Sequence, residues 1–382
     1  MPVGYIGPDN KVIDPTTSEG KRDLIQQEAL RSVLLYNRGG LDISMGVGKT
    51  YIGLQYIKIV EGKVLVVAPK VSIFESWKND ANKFNLSSLL DKITFTTYLS
   101  LHKHNPKDYD IVILDEAHNV KYSHEEFLSE YEGNILGLTG TPPRFKNSEK
   151  GEMMFKYYPI RYTYSVDEAV GNDILNDYRI YVHTLSLSSA NNMPVGKGNK
   201  KWMSSEFKQY HWISSQIESS VGEKQLFINR INRINYLKGF QTKIKFANYI
   251  SSKIPTDEKC LFFMNTKEQA DNFTDCTHHS GNHKNTNKEN LDKFSNGEVF
   301  RLAAVEQLSE GITIPNLKHI VILHSYGNEK RASQKIGRAL RLNPNEVAKI
   351  HVLCYKNTVD EDWVSSALSD FDPEKITWKD YN

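Results

Sequence analysis

The sequence has few cysteines, no long apolar run and almost no net charge. Its three cysteines, Cys260, Cys276 and Cys354, form no Cys-x-x-Cys pair, which argues against a disulfide framework and a four-cysteine zinc site. No apolar run approaches the roughly 18 residues of a membrane span. The opening MPVGYIGPDN lacks the basic and apolar regions of a signal peptide. These absences predict a soluble cytoplasmic protein without a membrane partner.

The basic and acidic residues nearly balance, with 48 Lys and Arg residues against 46 Asp and Glu residues and a net charge of +2. This balance excludes a uniformly basic coat for nucleic acid. The 382 residues are 39% hydrophobic, which is enough for two globular cores at roughly 100–200 residues per domain.

Short apolar runs alternate with helical stretches in both halves, a pattern typical of βαβ units and parallel sheets. The runs cover 63–69, 93–98, 110–114, 135–139, 259–264, 300–305, 319–323 and 350–355. We therefore predict an α/β protein with one domain over 1–183 and another over 241–382. A basic, partly helical linker or insertion over 184–240 joins them.

A glycine-rich turn precedes a predicted helix where the sequence reads SMGVGKTY. In a phosphate-binding loop, Gly46 and Gly48 let backbone N–H groups approach the phosphates. Lys49 then reaches the β- and γ-phosphates of ATP, and the Thr50 hydroxyl holds Mg²⁺. The strict loop pattern has a further glycine where this chain has Ile43. The alternative is a plain turn at the start of a helix.

Two adjacent carboxylates end an apolar run in the segment DIVILDEAH. Ligands of open parallel sheets bind at the carboxyl ends of strands. Asp115 is therefore placed to hold Mg²⁺, and Glu116 to orient and deprotonate an attacking water. The alternative is a charge pair at the N-terminus of the next helix.

These motifs resemble those of the superfamily-two helicases and translocases, in the same order. MGVGKT, LDEAH and LTGTPPR are similar to motifs I, II and III. KCLFFMNTKEQADNF, LSEGITIPNLKHIVIL and SQKIGRALR are similar to motifs IV, V and VI. The resemblance implies two RecA-like domains with parallel sheets, ATP and Mg²⁺ at their interface, and nucleic acid across both.

The resemblance also implies roles for residues of the first half. Gln26, or its neighbour Gln27, is similar to the glutamine that reads adenine. His118 resembles the motif II residue that couples hydrolysis to the second domain. Thr139 and Thr141 occupy positions that link the nucleotide state to domain movement.

Motif V matches the family less completely than the others. It retains Glu310, implied to couple the domains, and Gly311, implied to contact the nucleotide. Val305 and Thr313 stand where the family often has Thr and Asp, so a phosphate or strand contact at 305 and a ribose or coupling contact at 313 are in question.

Motif VI places three polar residues on one face of a predicted helix, because Gln334, Arg338 and Arg341 recur at i, i+4 and i+7. The resemblance implies that this face is directed at the γ-phosphate. Arg341 is then the arginine finger that stabilises the transition state, with Arg338 beside it. The alternative is an amphipathic helix with surface arginines.

Some residues that follow strands resemble positions with which the family holds a nucleic-acid backbone. They are Pro69, Lys70, Thr97, Asn265, Thr266 and Lys267. Hydroxyls, backbone N–H groups and lysines contact phosphates without reading bases. We therefore expect binding without sequence specificity.

The segment from Lys200 to Lys253 is strongly basic, with ten Lys and Arg residues against three Asp and Glu residues, a net charge of +7. It is a candidate for an additional duplex or fork contact through Arg230 and Arg233. It also contains the aromatic residues Trp202, Tyr210 and Trp212. These either stack on bases or pack a small core of the segment itself.

His278, His279 and His283 lie near Cys276 and have the composition of a metal cluster. Their setting, TDCTHHSGN, is that of a turn between a strand and a helix. We interpret the segment as a loop, with a metal site as the alternative.

The predicted function is that of an ATP-dependent DNA helicase or translocase that acts on single-stranded, forked or branched DNA in replication, recombination or repair. LTGTP combined with DEAH resembles DNA-type members, such as Swi/Snf-type translocases and phage branch-migration or repair helicases. We expect a monomer. Two alternatives stay open: an RNA helicase of the same superfamily, and a nucleic-acid-binding protein that ATP switches without unwinding.

Overall fold

The computed structural model of the protein describes residues 5–6, 12–44, 46–143, 145–197, 200–305, 308, 314–323, 346–369 and 371–381. The chain forms two compact units, and the change from the first to the second lies between Asp177 and Tyr178. Each unit contains one large sheet.

The first unit contains a six-stranded sheet, which a short antiparallel pair precedes, β1 (Tyr5–Ile6) and β2 (Val12–Ile13). The sheet strands are β3 (Arg38–Ile43), β4 (Val64–Ala68), β5 (Ile93–Thr97), β6 (Ile111–Asp115), β7 (Asn134–Thr139) and β8 (Ile160–Tyr164). Their order is β5-β4-β6-β7-β3-β8. All neighbours pair in parallel, so the six strands end at one edge.

Helices connect the strands of this sheet, as parallel pairing requires. They are α1 (Ser18–Leu34), α2 (Lys49–Val60), α3 (Ser72–Lys83), α4 (Glu125–Glu130), α5 (Glu149–Tyr157) and α6 (Val166–Gly171). Side-chain caps fix some helix starts: the Thr17 hydroxyl accepts a hydrogen bond from the Gly20 N–H, and Ser165 forms a capping box with Glu168.

The second unit begins with strand β9 (Asp177–Leu185) and a separate antiparallel hairpin of β10 (Met193–Lys197) and β11 (Lys200–Ser204). Its other strands are β12 (Lys259–Met264), β13 (Thr277–His278), β14 (Arg301–Val305), β15 (Leu317–Ile322), β16 (Val347–Tyr355) and β17 (Ile376–Tyr381). The large sheet has the order β13-β14-β12-β15-β16-β9-β17. β13, β14, β12, β15 and β16 pair in parallel in that order.

The helices of the second unit include a pair in the basic segment. They are α7 (Glu206–Glu218), α8 (Glu223–Gly239), α9 (Thr242–Lys253), α10 (Lys267–Phe273), α11 (Lys284–Asn296) and α12 (Val359–Ala367). The buried Glu206 carboxylate accepts hydrogen bonds from the backbone N–H groups of Gln241 and Thr242. This carboxylate therefore caps α9 and ties α7 to it.

The boundary between the units lies earlier than residue 183, where the sequence places it. β9 pairs in parallel with β17, from Ile180 opposite Ile376 to Leu185 opposite Tyr381. This pairing adds residues 178–183 to the second unit. The predicted insertion is also folded onto that unit, because Tyr210, Leu237 and Phe240 belong to its hydrophobic core.

Each of the eight predicted apolar runs overlaps a strand, whereas the sequence pattern does not indicate β3. Its sequence, RGGLDI, has two glycines, which weaken a strand signal. The structure supplies the reason for one of them: a Cβ atom at Gly40 would lie 2.5 Å from the carbonyl oxygen of Tyr158. Within the described ranges, none of the helices has the length and apolar character that a membrane span requires.

Candidate active site

The sheet of the first unit brings three predicted motifs to one edge. Ile43 ends β3, Asp115 ends β6 and Thr139 ends β7. These strands are consecutive in the sheet. The glycine-rich turn, the acidic pair and the LTGTP segment therefore share the carboxyl edge, where open parallel sheets bind their ligands.

The glycine-rich turn requires glycine at two positions. Gly46 and Gly48 have φ angles of 89° and 101°, in the left-handed region that other residues rarely adopt. A Cβ atom at Gly48 would also lie 2.5 Å from Nε2 of Gln26. Helix α2 begins directly after the turn, at Lys49. The N–H groups of its first turn, which lack intrahelical acceptors, can therefore face a phosphate.

Gln26 lies on α1 and contacts this turn. Its Nε2 donates a hydrogen bond to the carbonyl oxygen of Val47 over 2.5 Å, and the residue is buried. Gln26 is thus in place beside the loop. Adenine recognition by Gln26 or Gln27 stays a prediction.

Lys49 is half-buried between the turn and the LTGTP segment. Its Nζ donates a hydrogen bond to the carbonyl oxygen of Ile43 over 3.0 Å. A Cβ atom at Gly140 would lie 3.2 Å from this Nζ and 2.7 Å from the same carbonyl oxygen. Glycine at position 140 therefore allows motif III to approach the lysine of motif I.

Thr50 contacts α3 through a hydrogen bond between its hydroxyl and the Asp80 carboxylate. Burial raises the pKa of Asp80 above its ordinary value, and the charge of Lys83 and the hydrogen bond from Thr50 oppose this rise. The oxygen of the Thr50 hydroxyl has two lone pairs, which a cation can use.

Asp115 is 7% exposed and accepts a hydrogen bond at each carboxylate oxygen. Oδ2 accepts from Nε1 of Trp77 over 2.8 Å, and Oδ1 accepts from the Glu116 N–H over 2.9 Å. Burial raises the pKa of Asp115, whereas the Trp77 hydrogen bond, the Lys49 charge and the Glu116 N–H lower it. The hydroxyl of Tyr98 donates to the carbonyl oxygen of Asp115 over 2.9 Å.

Glu116 adopts an unusual backbone conformation, with φ 49° and ψ 52°, in the left-handed region. Its side chain is 14% exposed, and its Oε2 lies 3.4 Å from Nδ1 of His118. The same nitrogen lies 3.1 Å from Oγ1 of Thr139 and 3.2 Å from Oγ1 of Thr141. The Thr141 N–H also donates to Oγ1 of Thr139. Motifs II and III are thus joined through one imidazole ring.

Two family comparisons match most of the motif-bearing sequence. The family "Type III restriction enzyme, res subunit" matches residues 21–144, and the family "Helicase conserved C-terminal domain" matches residues 241–343. The first range contains motifs I to III, and the second contains motifs IV to VI. The chain belongs to the superfamily-two helicases.

Individual relatives agree with this assignment. The helicase is 25% identical over 368 residues to the "DNA 3'-5' translocase XPB2" of Sulfurisphaera tokodaii, across 88% of this chain and 82% of that protein. Its fold is similar to that of the ATP-dependent Type ISP restriction-modification enzyme LlaBIII bound to DNA, with TM-score 0.60 and 16% identity, over 94% of this chain and 31% of that one. The Pyrococcus furiosus Hef helicase domain has TM-score 0.50 and 14% identity, over 91% of this chain and 97% of that one.

In the first unit of the helicase, the residues predicted to contact nucleic acid lie at the same carboxyl edge of the sheet. Pro69 and Lys70 follow Ala68, the last residue of β4, and Thr97 ends β5. Ala68 and Thr97 are register partners, so the two contacts are neighbours. Lys70 is exposed. Because β6 lies between β4 and β7, Asp115 separates these contacts from the phosphate-binding turn.

In the second unit, Asn265, Thr266 and Lys267 follow β12. The Thr266 hydroxyl caps α10 by accepting from the Gln269 N–H. Nδ2 of Asn265 donates to the carbonyl oxygen of Lys238 near the end of α8 over 3.4 Å. Lys267 is exposed. This loop therefore adjoins the basic helix α8.

Some residues of the basic segment that are predicted to contact nucleic acid are exposed, and others are buried. Arg230 is exposed and Arg233 is half-buried. Trp202 and Trp212 are 59% and 51% exposed, respectively. Tyr210 is buried, and its hydroxyl accepts a hydrogen bond from the Val359 N–H. The packing alternative therefore holds for Tyr210.

Lys243 reduces the positive charge that this segment presents. It is 2% exposed, and its Nζ lies 2.5 Å from Oδ2 of the equally buried Asp360. The same Nζ donates to the carbonyl oxygen of Leu323 over 2.8 Å. The band of charge seen in the sequence is thus partly neutralised inside the unit.

Two of the three histidines near Cys276, His279 and His283, accept or share hydrogen bonds with nearby residues of the chain. Nε2 of His279 lies 2.7 Å from Oδ1 of Asp271, and its Nδ1 accepts from the Gly281 N–H. His283 is the N-cap of α11. Among the described residues, no group of three or more His, Cys, Asp or Glu side chains is arranged to hold a metal ion.

Several predicted residues lie outside the described residues: Glu310, Gly311, Thr313, Gln334, Arg338 and Arg341. Their roles in motifs V and VI stay predictions. Val305 is described, and it ends β14.

Trp77, Asp80 and Tyr98 contact the site but were not predicted from the sequence. A partial signal exists for Trp77, because Ile73, Trp77 and Ala81 recur at i, i+4 and i+8 and mark the buried face of a helix. That spacing predicts burial. It does not predict that the indole N–H would meet a carboxylate from a different strand.

Proposed function

We propose that this helicase hydrolyses ATP with Mg²⁺ and uses the reaction to move along DNA, as a translocase or a strand-separating enzyme. The order of sites along one sheet edge carries the proposal. The phosphate-binding turn follows β3, the threonine proposed for coupling ends β7, the acidic pair lies at the end of β6, and the predicted nucleic-acid contacts lie at the ends of β4 and β5. Only two strands separate β3 from β4, which corresponds to about 15 Å. The archaeal relative named a DNA translocase supports DNA as the substrate.

The turn from Gly46 to Thr50 would hold the phosphates of ATP with its backbone N–H groups. Lys49 would leave the Ile43 carbonyl, which it contacts now, and approach the β- and γ-phosphates. Thr50 and Asp115 offer the hard oxygen atoms that Mg²⁺ prefers, so the residues present fit this ion. Bound Mg²⁺ would neutralise charge that develops on the phosphates.

Glu116 would orient the attacking water and accept its proton. Its side chain lies beside the buried Asp115 and is only 14% exposed, which limits competition from bulk water. Gln334, Arg338 and Arg341 of motif VI would stabilise the charge of the transition state. Gln26 and Gly311 would contribute to nucleotide binding.

The contact of His118 with Thr139 and Thr141 supports its proposed role in coupling. A change at the γ-phosphate that moves Glu116 would alter the hydrogen bonds of this imidazole. Motif III would then move with the nucleotide state, together with Glu310 of motif V.

Strand binding would use phosphates and ignore bases. Lys70 and Lys267 are exposed and carry the positive charge that such contacts need. Pro69, Thr97, Asn265 and Thr266 would add backbone and side-chain contacts. We further propose that a monomer acts on single-stranded, forked or branched DNA in the cytoplasm, in replication, recombination or repair.

The test measures ATP hydrolysis with single-stranded DNA, duplex DNA and RNA of matched sequence, and strand displacement on forked, tailed and four-way DNA. We expect DNA to stimulate hydrolysis more than RNA does. Stimulation by RNA alone would instead identify an RNA helicase. ATP binding without hydrolysis on any substrate would identify an ATP-switched binding protein.

The basic helix is tested separately by Arg230→Glu combined with Arg233→Glu. If α8 contacts phosphates, the affinity for DNA falls and its dependence on salt becomes less steep. Lys92→Glu is the matched control, because Lys92 is exposed and precedes β5, at the opposite edge of the sheet from the predicted contacts. An unchanged salt dependence in the double variant would contradict the α8 contact.

A further inference from the structure

Trp77 is buried against the acidic pair. Its side chain is 0% exposed, and its Nε1 donates to Oδ2 of Asp115 over 2.8 Å. Oδ1 of the same carboxylate accepts from the Glu116 N–H. The carboxylate is therefore held at both oxygens, and each oxygen retains a second lone pair for another partner.

The indole of Trp77 also packs against the helix that starts at the phosphate-binding turn. A Cβ atom at Gly53 of α2 would lie 2.5 Å from Cη2 of Trp77 and 3.3 Å from Cδ1 of Leu138. A larger residue at position 53 would displace the indole, and with it the N–H group that Asp115 accepts.

Helix α3 begins close to Lys70, which is predicted to contact nucleic acid. Val71 is its N-cap, and the carbonyl oxygen of Lys70 accepts a hydrogen bond from the Ile73 N–H over 3.2 Å. The residue proposed to bind a nucleic-acid phosphate therefore lies directly before the N-cap of the helix that contains Trp77.

We propose that Trp77 is a positioning residue that orients the Asp115 carboxylate for magnesium. The inference rests on the proposed function, because it requires Mg-nucleotide at these residues. Hydrogen bonds that orient metal ligands typically change metal affinity or activity by roughly 10- to 100-fold when they are removed.

The test compares the wild-type protein with Trp77→Phe, which keeps an aromatic ring but lacks the N–H. Calorimetry measures the binding of a non-hydrolysable ATP analogue at a series of Mg²⁺ concentrations and in EDTA. We expect Trp77→Phe to raise the Mg²⁺ concentration at half-saturation about tenfold or more, and to leave binding in EDTA unchanged.

Gly53→Ala is a second variant, which retains the indole but displaces it. We expect Gly53→Ala also to raise the Mg²⁺ concentration at half-saturation, by a smaller factor, and to leave binding in EDTA unchanged. Trp378→Phe is the matched control, because Trp378 is 44% exposed on β17 of the second unit. Addition of Mg²⁺ to the nucleotide complex should change tryptophan fluorescence in the wild type and in Trp378→Phe, and not in Trp77→Phe.

The outcomes separate the two proposals. Unchanged magnesium dependence in Trp77→Phe would overturn the inference, and so would an equal loss of binding with Mg²⁺ and with EDTA, which would indicate a packing role. A wild-type protein that binds no nucleotide with Mg²⁺ would overturn the proposed function, and the inference with it.

Discussion

His118 and Thr139 connect the acidic segment after β6 to the end of the neighbouring strand β7. Nδ1 of His118 lies 3.1 Å from Oγ1 of Thr139, and both residues are buried. The same nitrogen lies 3.4 Å from Oε2 of Glu116. A displacement of motif III would therefore be transmitted to the proposed catalytic base through one imidazole ring.

Thr139→Val tests this connection, because it keeps the shape of the side chain and removes the hydroxyl. We expect DNA-stimulated ATP hydrolysis to fall about three- to tenfold, which corresponds to the loss of one buried hydrogen bond. The affinity for a non-hydrolysable ATP analogue should stay unchanged. Steady-state hydrolysis at increasing DNA concentration measures the effect.

Thr96→Val is the control for that variant. Thr96 is also buried, and its hydroxyl lies 3.0 Å from Nε2 of His104, away from the acidic pair. Equal losses of stimulation in the two variants would contradict a specific coupling role for Thr139.

Gly48→Ala should abolish most nucleotide binding. The residue has φ 101°, where an L side chain costs about 1–2 kcal/mol, and its Cβ atom would collide with Gln26. We expect at least a tenfold weaker affinity for ADP, measured by calorimetry. Gly239→Ala is the matched control, since a Cβ atom there meets nothing within 4 Å. Wild-type affinity in Gly48→Ala would contradict the phosphate-loop assignment.

Lys243→Met should destabilise the second unit, because it leaves the buried Asp360 carboxylate without its cation. Removal of one partner of a buried ion pair typically costs about 3–5 kcal/mol. Denaturant unfolding measures the change. Lys245→Met is the control and should have little effect, because Lys245 is exposed on the same helix. A free energy of unfolding within about 1 kcal/mol of the wild type would show that the pair contributes little.

The stability of the second unit should fall in acid through two stacked histidines. Nε2 of His183 lies 3.0 Å from Nδ1 of His351. Burial, followed by the charge of Lys379, lowers the pKa of His183 to about 4. Burial and the neighbouring cationic groups, His183 first among them, lower the pKa of His351 to about 3.

The sign of the pH effect follows from these depressed values. Above the ordinary histidine pKa of about 6.5, both forms of the protein hold these rings neutral and the full stability is present. As the pH falls below 6.5, the unfolded chain binds protons that the folded chain resists, so the free energy of unfolding decreases down to about pH 3. Denaturant unfolding between pH 7 and pH 4 measures this decrease. His351→Gln should make the free energy of unfolding depend less on pH. His102→Gln, at an exposed position, is the control and should leave the pH dependence unchanged. A dependence that His351→Gln leaves unchanged would assign it to other groups.

The sequence predicts the sheets well because their central strands are buried along their whole length. VLVVA in β4 and IVILD in β6 are buried at every residue, and such strands appear as continuous apolar runs. β3 escapes this rule because Gly39 and Gly40 accommodate neighbouring side chains and a backbone carbonyl. The sequence places most of β9 in the first unit, because its partner β17 lies almost 200 residues later, with Ile180 opposite Ile376, and local periodicity contains no information about such pairing.

Some residues of the candidate site can be predicted from the sequence, and others cannot. Gly46, Gly48 and Asp115 belong to contiguous motifs, so their chemistry is visible in the sequence. Trp77 and Asp80 act through contacts with α2 and β6, and only the packing of α3 brings them there. Residue spacing along a single helix predicts which face is buried, but not which polar atom from another element that face will meet.

The central claim is that Glu116 acts as the catalytic base of an ATP hydrolase that DNA stimulates. Steady-state ATP hydrolysis with saturating DNA, compared between the wild-type protein and Glu116→Gln, tests it most directly. Loss of a general base typically lowers the rate by about 10²- to 10⁴-fold, so we expect at least a 100-fold decrease with an unchanged affinity for the ATP analogue. Equal rates of hydrolysis in the two proteins would contradict the account.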